Sequence, residues 1–394
     1  MLKHWIWLTQ RPGIGTRGVA ALLRLFGTAE RIYAMGERDY RDTEGFENRW
    51  LESLLDKATG EAQKVLVRCD DLGIRVLTYA DPQYPERLRN IPDPPAVLYY
   101  KGNFPDFDRE AAIAVVGSRR CSAYGLMYAK RFGRQIAACG GLVVSGGARG
   151  IDTMATFGAL DAGTPVVTVL GCGLDISYPR ENRELFGDVA RRGCLISEYP
   201  PGTPPNGRHF PVRNRILSGL CLGVLVVEAP EGSGALITAN QALEQGRDVF
   251  AIPGNIGVKH CEGSNRLLRE GAILVESGWD VLRDYAYMFP DKLSDGRTRE
   301  ALEQPNPTVA GVPVGRVAET PPTPVPAPAT APVPEDLSPD EKTVLELLSA
   351  EPILADTLVA RSALPAQRVL AALTMLQIKQ LALKLAGNLY QRKF

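Results

Sequence analysis

Two clusters of glycine, serine and arginine stand out as residues able to do chemistry: Gly117-Ser118-Arg119-Arg120 and Ser145-Gly146-Gly147-Ala148-Arg149-Gly150. Small residues let backbone N–H groups come close to an anion, and arginine presents a planar pair of donors matched to phosphate. A helix starting just after each cluster adds partial positive charge at its N-terminus. Together these features describe a phosphate-binding rim.

The elements that must hold the rim are short. Each cluster ends an apolar run, 113–116 and 142–144, and an amphipathic stretch at 124–139 lies between them. Runs this brief and this rich in Val and Ile fit strands buried on both faces of a parallel sheet, where ligands bind beyond the carboxyl ends of the strands. The pattern then alternates: helix 153–162, strand 166–170, helix 182–191, strand 195–196, an irregular stretch 199–213, strand 223–227, helix 236–244, strand 248–252 and helix 264–270. Such alternation predicts an α/β chain with an extended Rossmann-like, doubly wound sheet.

Several familiar chemistries are missing. There is no Gly-Lys pair and hence no Walker A; Gly171-Cys172-Gly173 has Ile176 where a dinucleotide fingerprint needs its third glycine. His4, His209 and His260 are scattered, which predicts no zinc site, and no serine lies in a nucleophile elbow. Asp152, Asp175, Glu198 and Glu228 fall near strand ends, where a carboxylate serves either as an acid–base group or as a helix cap and arginine partner. The second role is the one expected here, so neither catalysis nor a cofactor is anticipated.

The chain has 394 residues, room for two or three domains, and a formal net charge of zero. Charge is unevenly spread. Residues 111–224 hold 13 Lys and Arg against 7 Asp and Glu, whereas residues 225–285 hold 5 against 9. A basic half beside an acidic half is the asymmetry of a protein that meets a polyanion on one face. Seven cysteines form no CxxC pair, and the apolar N-terminal run breaks at Gln10-Arg11-Pro12. A reduced cytoplasmic protein with no membrane span is the expectation.

Flanking regions complete the domain plan. Residues 1–72 read as a helical domain in which Gly13 and Gly15 form a turn resembling a helix-hairpin-helix, either to hold a DNA phosphate or merely to turn tightly. Residues 73–290 make the main domain, entered through strands near 74–77 and 96–100, and residues 291–336 make a linker with ten prolines between 305 and 334. Residues 337–394 show three short helices, 339–349, 354–361 and 365–378, and a hairpin turning at Ala386-Gly387-Asn388, a winged-helix pattern. Its recognition-helix candidate exposes only Gln367, Arg368, Gln377 and a few others, so a protein-contact or weak DNA-contact role is favoured over groove reading.

The motifs VVGSRRCSAYG (115–125), VVSGGARGID (143–152), LGCGLDISYP (170–179), LISEYPPG (195–202), FPVRNRILSGL (210–220), VVEAPEGSGALITA (226–239), FAIPGN (250–255) and GSNRLLREGA (263–272) occur in one order. In this they resemble the DNA-processing protein A (DprA/Smf) family, over residues 73–284. The resemblance implies a protein that binds single-stranded DNA, passes it to a RecA-type recombinase during natural transformation, and forms a homodimer. It also implies that Ser118, Arg119, Arg120, Ser145, Gly146, Gly147 and Arg149 form the phosphate rim, with Phe210 as a base-stacking platform. Arg213, Asn214 and Arg215 would face the strand backbone, and Ser233, Gly234, Ser264 and Asn265 would complete the donors. Arg213 or Arg215 paired with Asp175 or Glu198 is the alternative for those two.

Two departures from the family pattern are Gly147, where a bulky aliphatic residue is usual, and Thr156, where histidine is usual. Five phosphate contacts along such a rim predict a salt dependence with a log–log slope of about −3.5. A different class of activity, nucleotide N-glycoside hydrolysis on a related fold, calls for an acid soon after the loop 230–234, yet none follows until Glu244. A third possibility is an adaptor whose tethered C-terminal domain carries the partner contacts.

Overall fold

The computed structural model describes residues 1–295, 337–349, 353–362, 364–379, 381–385 and 389–392. Most of the expected linker (296–336) and the expected turn at Ala386-Gly387-Asn388 lie outside the described residues. Residues 1–295 and the described residues from 337 onward belong to two separate compact units.

The first unit is built on a nine-stranded sheet. Its strands are β1 (Arg75–Thr78), β2 (Val97–Gly102), β3 (Ala112–Val116), β4 (Leu142–Ser145), β5 (Val166–Leu170), β6 (Cys194–Ser197), β7 (Gly223–Val226), β8 (Asp248–Ala251) and β9 (Ile273–Leu274). The spatial order is β1-β2-β6-β5-β4-β3-β7-β8-β9. From β6 to β9 every neighbour is parallel; β2 joins β6, and β1 joins β2, antiparallel. The chain winds outward from β3 through β4 and β5 to β6, then returns to place β7, β8 and β9 on the other side. The order therefore reverses between β3 and β7, and a crevice opens there at the carboxyl ends of the strands.

Burial follows from alternation. Ile113 and Val115 of β3 point into one core while Ala112, Ala114 and Val116 point into the other. The first of these cores also holds Trp5, Trp7, Leu22, Tyr40 and Trp50, so the N-terminal helices share apolar packing with one face of the sheet. Those helices begin with Leu2–Thr9 and Thr16–Phe26, joined through Gly13, whose φ of +73° is a left-handed conformation suited to glycine.

The sequence-predicted strands and helices of the sheet domain appear with small shifts at their ends, and β9 is additional. The larger correction concerns 199–213, expected to be irregular: a helix, His209–Gly219, begins inside it. Pro211 stands in its first turn, where a missing N–H costs nothing, and Arg213 through Gly219 are all buried. A helix buried on nearly every side shows no amphipathic stripe, so its periodicity is silent.

The two helices that follow β3 and β4, Ala123–Ala138 and Ile151–Asp161, pack without side chains at their crossing. A Cβ at Gly133 would lie 2.2 Å from the Ala155 carbonyl oxygen, and one at Gly158 would lie 2.0 Å from that of Lys130. This crossing fixes the spacing of both Gly-Ser-Arg clusters.

In the second unit, helices Pro339–Leu347, Ala355–Ser362 and Ala366–Ile378 accompany a three-stranded antiparallel sheet of β10 (Ile353–Leu354), β11 (Ala382–Leu385) and β12 (Leu389–Arg392), in the order β10-β12-β11. Ser338 and Glu341 close a capping box at the first helix, with Pro339 inside it. Val344, Leu358, Val369, Leu373 and Leu376 fill its core. Three helices with a hairpin and a short third strand make a winged helix.

A Gly158→Ala substitution is expected to destabilise the protein by about 1–3 kcal/mol, because backbone rather than a flexible side chain occupies the space. Urea unfolding of the variant beside the wild type measures the loss; an unchanged midpoint would mean that the helices separate freely.

Candidate nucleic-acid interface

A cleft of about 760 Å³ lies over the β3–β7 reversal. Its walls are the turn after β3 (Val116–Arg120), the loop and helix start after β7 (Pro230–Ala235), the beginning of the 209–219 helix, and Lys259-His260. Of the fifteen residues proposed from sequence, eight line it: Ser118, Arg119, Arg120, Phe210, Arg213, Asn214, Ser233 and Gly234.

These residues play unequal parts. Ser118 is buried, its Oγ donating to the Arg120 carbonyl at 2.7 Å and accepting from the Arg120 N–H at 3.1 Å. It shapes the turn that presents Arg119 and Arg120. Both arginines are exposed, and neither forms an ion pair among the described residues. The Arg119 guanidinium stands 4.8 Å from the centre of the Phe210 ring. That ring also stacks on Tyr178, with centroids 5.6 Å apart and planes 28° apart. Gly171, at the end of β5, makes room for it, since a Cβ there would sit 2.9 Å from Phe210 Cδ1. Ser233 caps the Gly234–Glu244 helix by accepting from the Ala235 N–H, and no atom lies within 4 Å of a Cβ built at Gly234. That leaves the start of this helix open to the cleft.

Arg213 is different in kind. It is 4% exposed, and its Nη1 donates to the carbonyl of Gly146 at 2.7 Å and to that of Val169. Its Nε donates to Asn214 Oδ1 at 3.2 Å, and Asn214 Nδ2 in turn donates to the Gly234 carbonyl at 3.4 Å. Asp152 faces it across Gly146, where a Cβ would lie 2.7 Å from both Arg213 Nη2 and Asp152 Oδ2. Burial pushes the Asp152 carboxyl up to about 6, against the pull of Arg213, the Ala148 N–H and Arg119. The same burial pushes Arg213 down to about 10. At neutral pH the two remain oppositely charged.

The other proposed residues stay outside the cleft. Ser145 is fully buried and its Oγ donates to the Val115 carbonyl at 3.0 Å. Gly146 and Gly147 lie in the backbone turn above Arg213, with Gly147 at φ +66° between Thr168 and Phe186. Arg149 is exposed but pairs with Glu181. Arg215 is buried, bidentate to Glu198 at 2.8 and 3.0 Å, with Nε on the Asp93 carbonyl at 3.0 Å. The pairing alternative is therefore the arrangement found for Arg215. Ser264 is buried and donates to the Cys261 carbonyl, and Asn265 clamps the Gly254 backbone through both its amide atoms. These side chains brace loops and do not line a rim.

All four strand-end carboxylates have structural partners. Glu228, fully buried at the end of β7, accepts from the Ser122 N–H and hydroxyl and so supports the start of the 123–138 helix. Asp175 accepts from Arg68 at 2.6 Å and from the Gly202 N–H at 2.8 Å. Thr156 is buried, its hydroxyl donating to the Asp152 carbonyl at 2.9 Å, and it does not reach the cleft. Among the described residues no group of three or more His, Cys, Asp or Glu could hold a metal ion. No helix of the described residues is long and apolar enough to cross a membrane.

Sequence patterning missed three contributors: Tyr178, Lys259 and His260. Tyr178 lies inside the quoted motif 170–179, and an aromatic before proline in a Gly-rich loop was the only signal available. His260 was weighed only as a metal ligand; here its Nδ1 lies 3.9 Å from Glu228 Oε1. At the N-terminal turn, no atom lies within 4 Å of a Cβ at Gly13 or Gly15. On the winged helix, Arg368 is bidentate to Asp340 at 2.6 and 2.7 Å, while Leu370 and Met375 are exposed. The recognition-helix candidate thus shows an apolar surface with its cation already neutralised.

Comparison with known proteins identifies the family of the chain. Residues 75–286 match the family model for DNA recombination-mediator protein A, and residues 327–388 match the DprA winged helix domain. Protein Smf of Synechocystis is 34% identical over 99% of this chain and 98% of its own length. The DNA processing protein DprA of Streptococcus pneumoniae is 46% identical over 52% of this chain and 73% of its own. Among solved structures, DprA from Streptococcus pneumoniae superposes with a TM-score of 0.64 at 36% identity, covering 72% of this chain and 98% of that one. DNA processing protein A from Helicobacter pylori, solved for its single-stranded DNA binding mode, gives 0.50 at 27% identity, over 55% and 96%. The chain belongs to the DNA recombination-mediator protein A family, also called DprA or Smf.

Proposed function

We propose that this protein binds single-stranded DNA in the β3–β7 cleft and delivers it to a RecA-type recombinase, acting without catalysis as a cytoplasmic homodimer in the uptake and recombination of DNA. The observation that carries the binding reading is the pairing of exposed, unneutralised Arg119 and Arg120 with an aromatic ring, Phe210, in one cleft. Cations that track the backbone and a ring that stacks any base are the means by which single strands are held without regard to sequence. The related protein from Helicobacter pylori, described for its single-stranded DNA binding, lends the same reading support. A non-catalytic role is supported by the strand-end carboxylates, each engaged in bracing a loop or helix. The apolar surface at Leu370 and Met375 favours a protein partner for the winged helix.

Three exposed cations line the cleft, Arg119, Arg120 and Lys259, fewer than the five phosphate contacts anticipated from sequence. With about 0.7 counterion released per phosphate on a single strand, the log–log salt slope becomes about −2.

Fluorescence anisotropy of a labelled oligo-dT across a salt titration tests this. Arg119→Ala is expected to weaken binding and to flatten the slope by about 0.7. Phe210→Ala is expected to cost about 1–3 kcal/mol with the slope unchanged. Wild-type affinity in both variants would refute the site. Arg215→Ala should instead destabilise the fold by about 3–5 kcal/mol, read as a lower urea midpoint, because it leaves the part-buried Glu198 without its cation.

The Asp152 carboxyl supplies a pH test. Lowering the pH from 7.5 to 5.5 protonates it, removes a negative charge beside Arg119 and Arg213, and should tighten strand binding. In Asp152→Asn that part of the gain should vanish. An equal pH response in both proteins would show that Asp152 does not titrate there.

A further inference from the structure

We infer that Tyr178 is a second stacking residue of the cleft, so that two bases of the strand, one on Phe210 and another on Tyr178, are held side by side. This rests on the strand-binding reading above and extends it.

Tyr178 lines the same cleft as Arg119 and Phe210. It is 40% exposed, unusual for an aromatic ring with one face already covered. Its single ring contact is Phe210, and among the described residues its hydroxyl makes no hydrogen bond and no cation sits over its face. A large side chain in contact with the cleft, supported on one side and unused on the other, is built to receive something flat.

The geometry of the pair gives the number of bases. Two rings 5.6 Å apart and inclined by only 28° are stacked with an offset, because faces in direct contact lie about 3.5–4 Å apart, so part of each ring stays uncovered. An offset shelf presents more flat surface than one ring and seats neighbouring bases at successive positions. Arg119 already occupies space at Phe210, 4.8 Å from its centroid. A base arriving on Phe210 therefore meets that guanidinium, whereas Tyr178 has no such competitor. The rings are attached to separate elements, the loop before the 180–182 turn and the start of the 209–219 helix, so each can be altered alone.

The alternative role is a prop, in which Tyr178 acts only by holding Phe210 in place. A double-mutant cycle separates the two. Affinity for oligo-dT would be measured for Tyr178→Ala, Phe210→Ala and the double variant, with Tyr178→Phe and Tyr178→Leu as companions and urea midpoints confirming the fold. If Tyr178 receives a base, Tyr178→Ala loses about tenfold in affinity with the salt slope unchanged, and the same factor is lost again in the Phe210→Ala background. Tyr178→Phe keeps wild-type affinity, and Tyr178→Leu, which fills space without a π face, does not.

A second readout follows the bases directly. The fluorescence of 2-aminopurine placed in oligo-dT is expected to be quenched at two adjacent positions in the wild type and at one in Tyr178→Ala. The inference is overturned if Tyr178→Ala binds as the wild type does while Phe210→Ala is impaired. It is equally overturned if the Tyr178 effect disappears once Phe210 is removed. If Arg119→Ala, Phe210→Ala and Tyr178→Ala all bind like the wild type, the strand-binding reading of the cleft fails with it.

Discussion

Everything at the mouth of the cleft depends on one buried cation. The Arg213 guanidinium reaches carbonyls at the ends of two adjacent strands, Gly146 after β4 and Val169 within β5, and is balanced by Asp152. A charge in such a place is tolerated only when its donors are used and a countercharge is near. Meeting those conditions ties the 209–219 helix to the sheet at a fixed height. Phe210 sits three residues earlier on the same helix, so the anchor below sets the position of the ring above.

The same economy explains why so many arginines in the recognisable motifs do not face the cleft. Arg215 spends its fork on Glu198 and Arg149 pairs with Glu181, while Arg68, from outside those motifs, reaches Asp175. The Arg215 and Arg68 pairs hold segments outside regular secondary structure, whereas the exposed Arg149–Glu181 pair adds little. What remains for a ligand is small: two arginines on a turn shaped by Ser118, one lysine opposite, an open helix start and an aromatic shelf. The residue types in such a site suit a backbone and a flat face better than a base edge.

Much of the fold was legible because it depends on alternation. β3 and β4 announce themselves as brief Val- and Ile-rich runs stopped by glycine, and the helices between strands carry ordinary amphipathic patterns. The 209–219 helix escaped for a physical reason: its buried side includes Arg213, Asn214 and Arg215, whose polarity is hidden by partners distant in sequence. The candidate site was legible to the same extent. Arg119, Arg120 and Phe210 could be named from residue type and motif, but which arginine faces outward is settled by tertiary pairing. Ser145 and Ser264 look like donors in sequence and are consumed by carbonyls in space.

The glycine at position 147 bears on how this chain can change over evolutionary time. Its backbone takes a left-handed φ of +66°, and a Cβ would lie 2.8 Å from Thr168 Cγ2 and 2.9 Å from Phe186 Cε1. An aliphatic residue there would meet both the left-handed backbone and these two side chains. The effect of a substitution at 147 is therefore coupled to the side chains at 168 and 186.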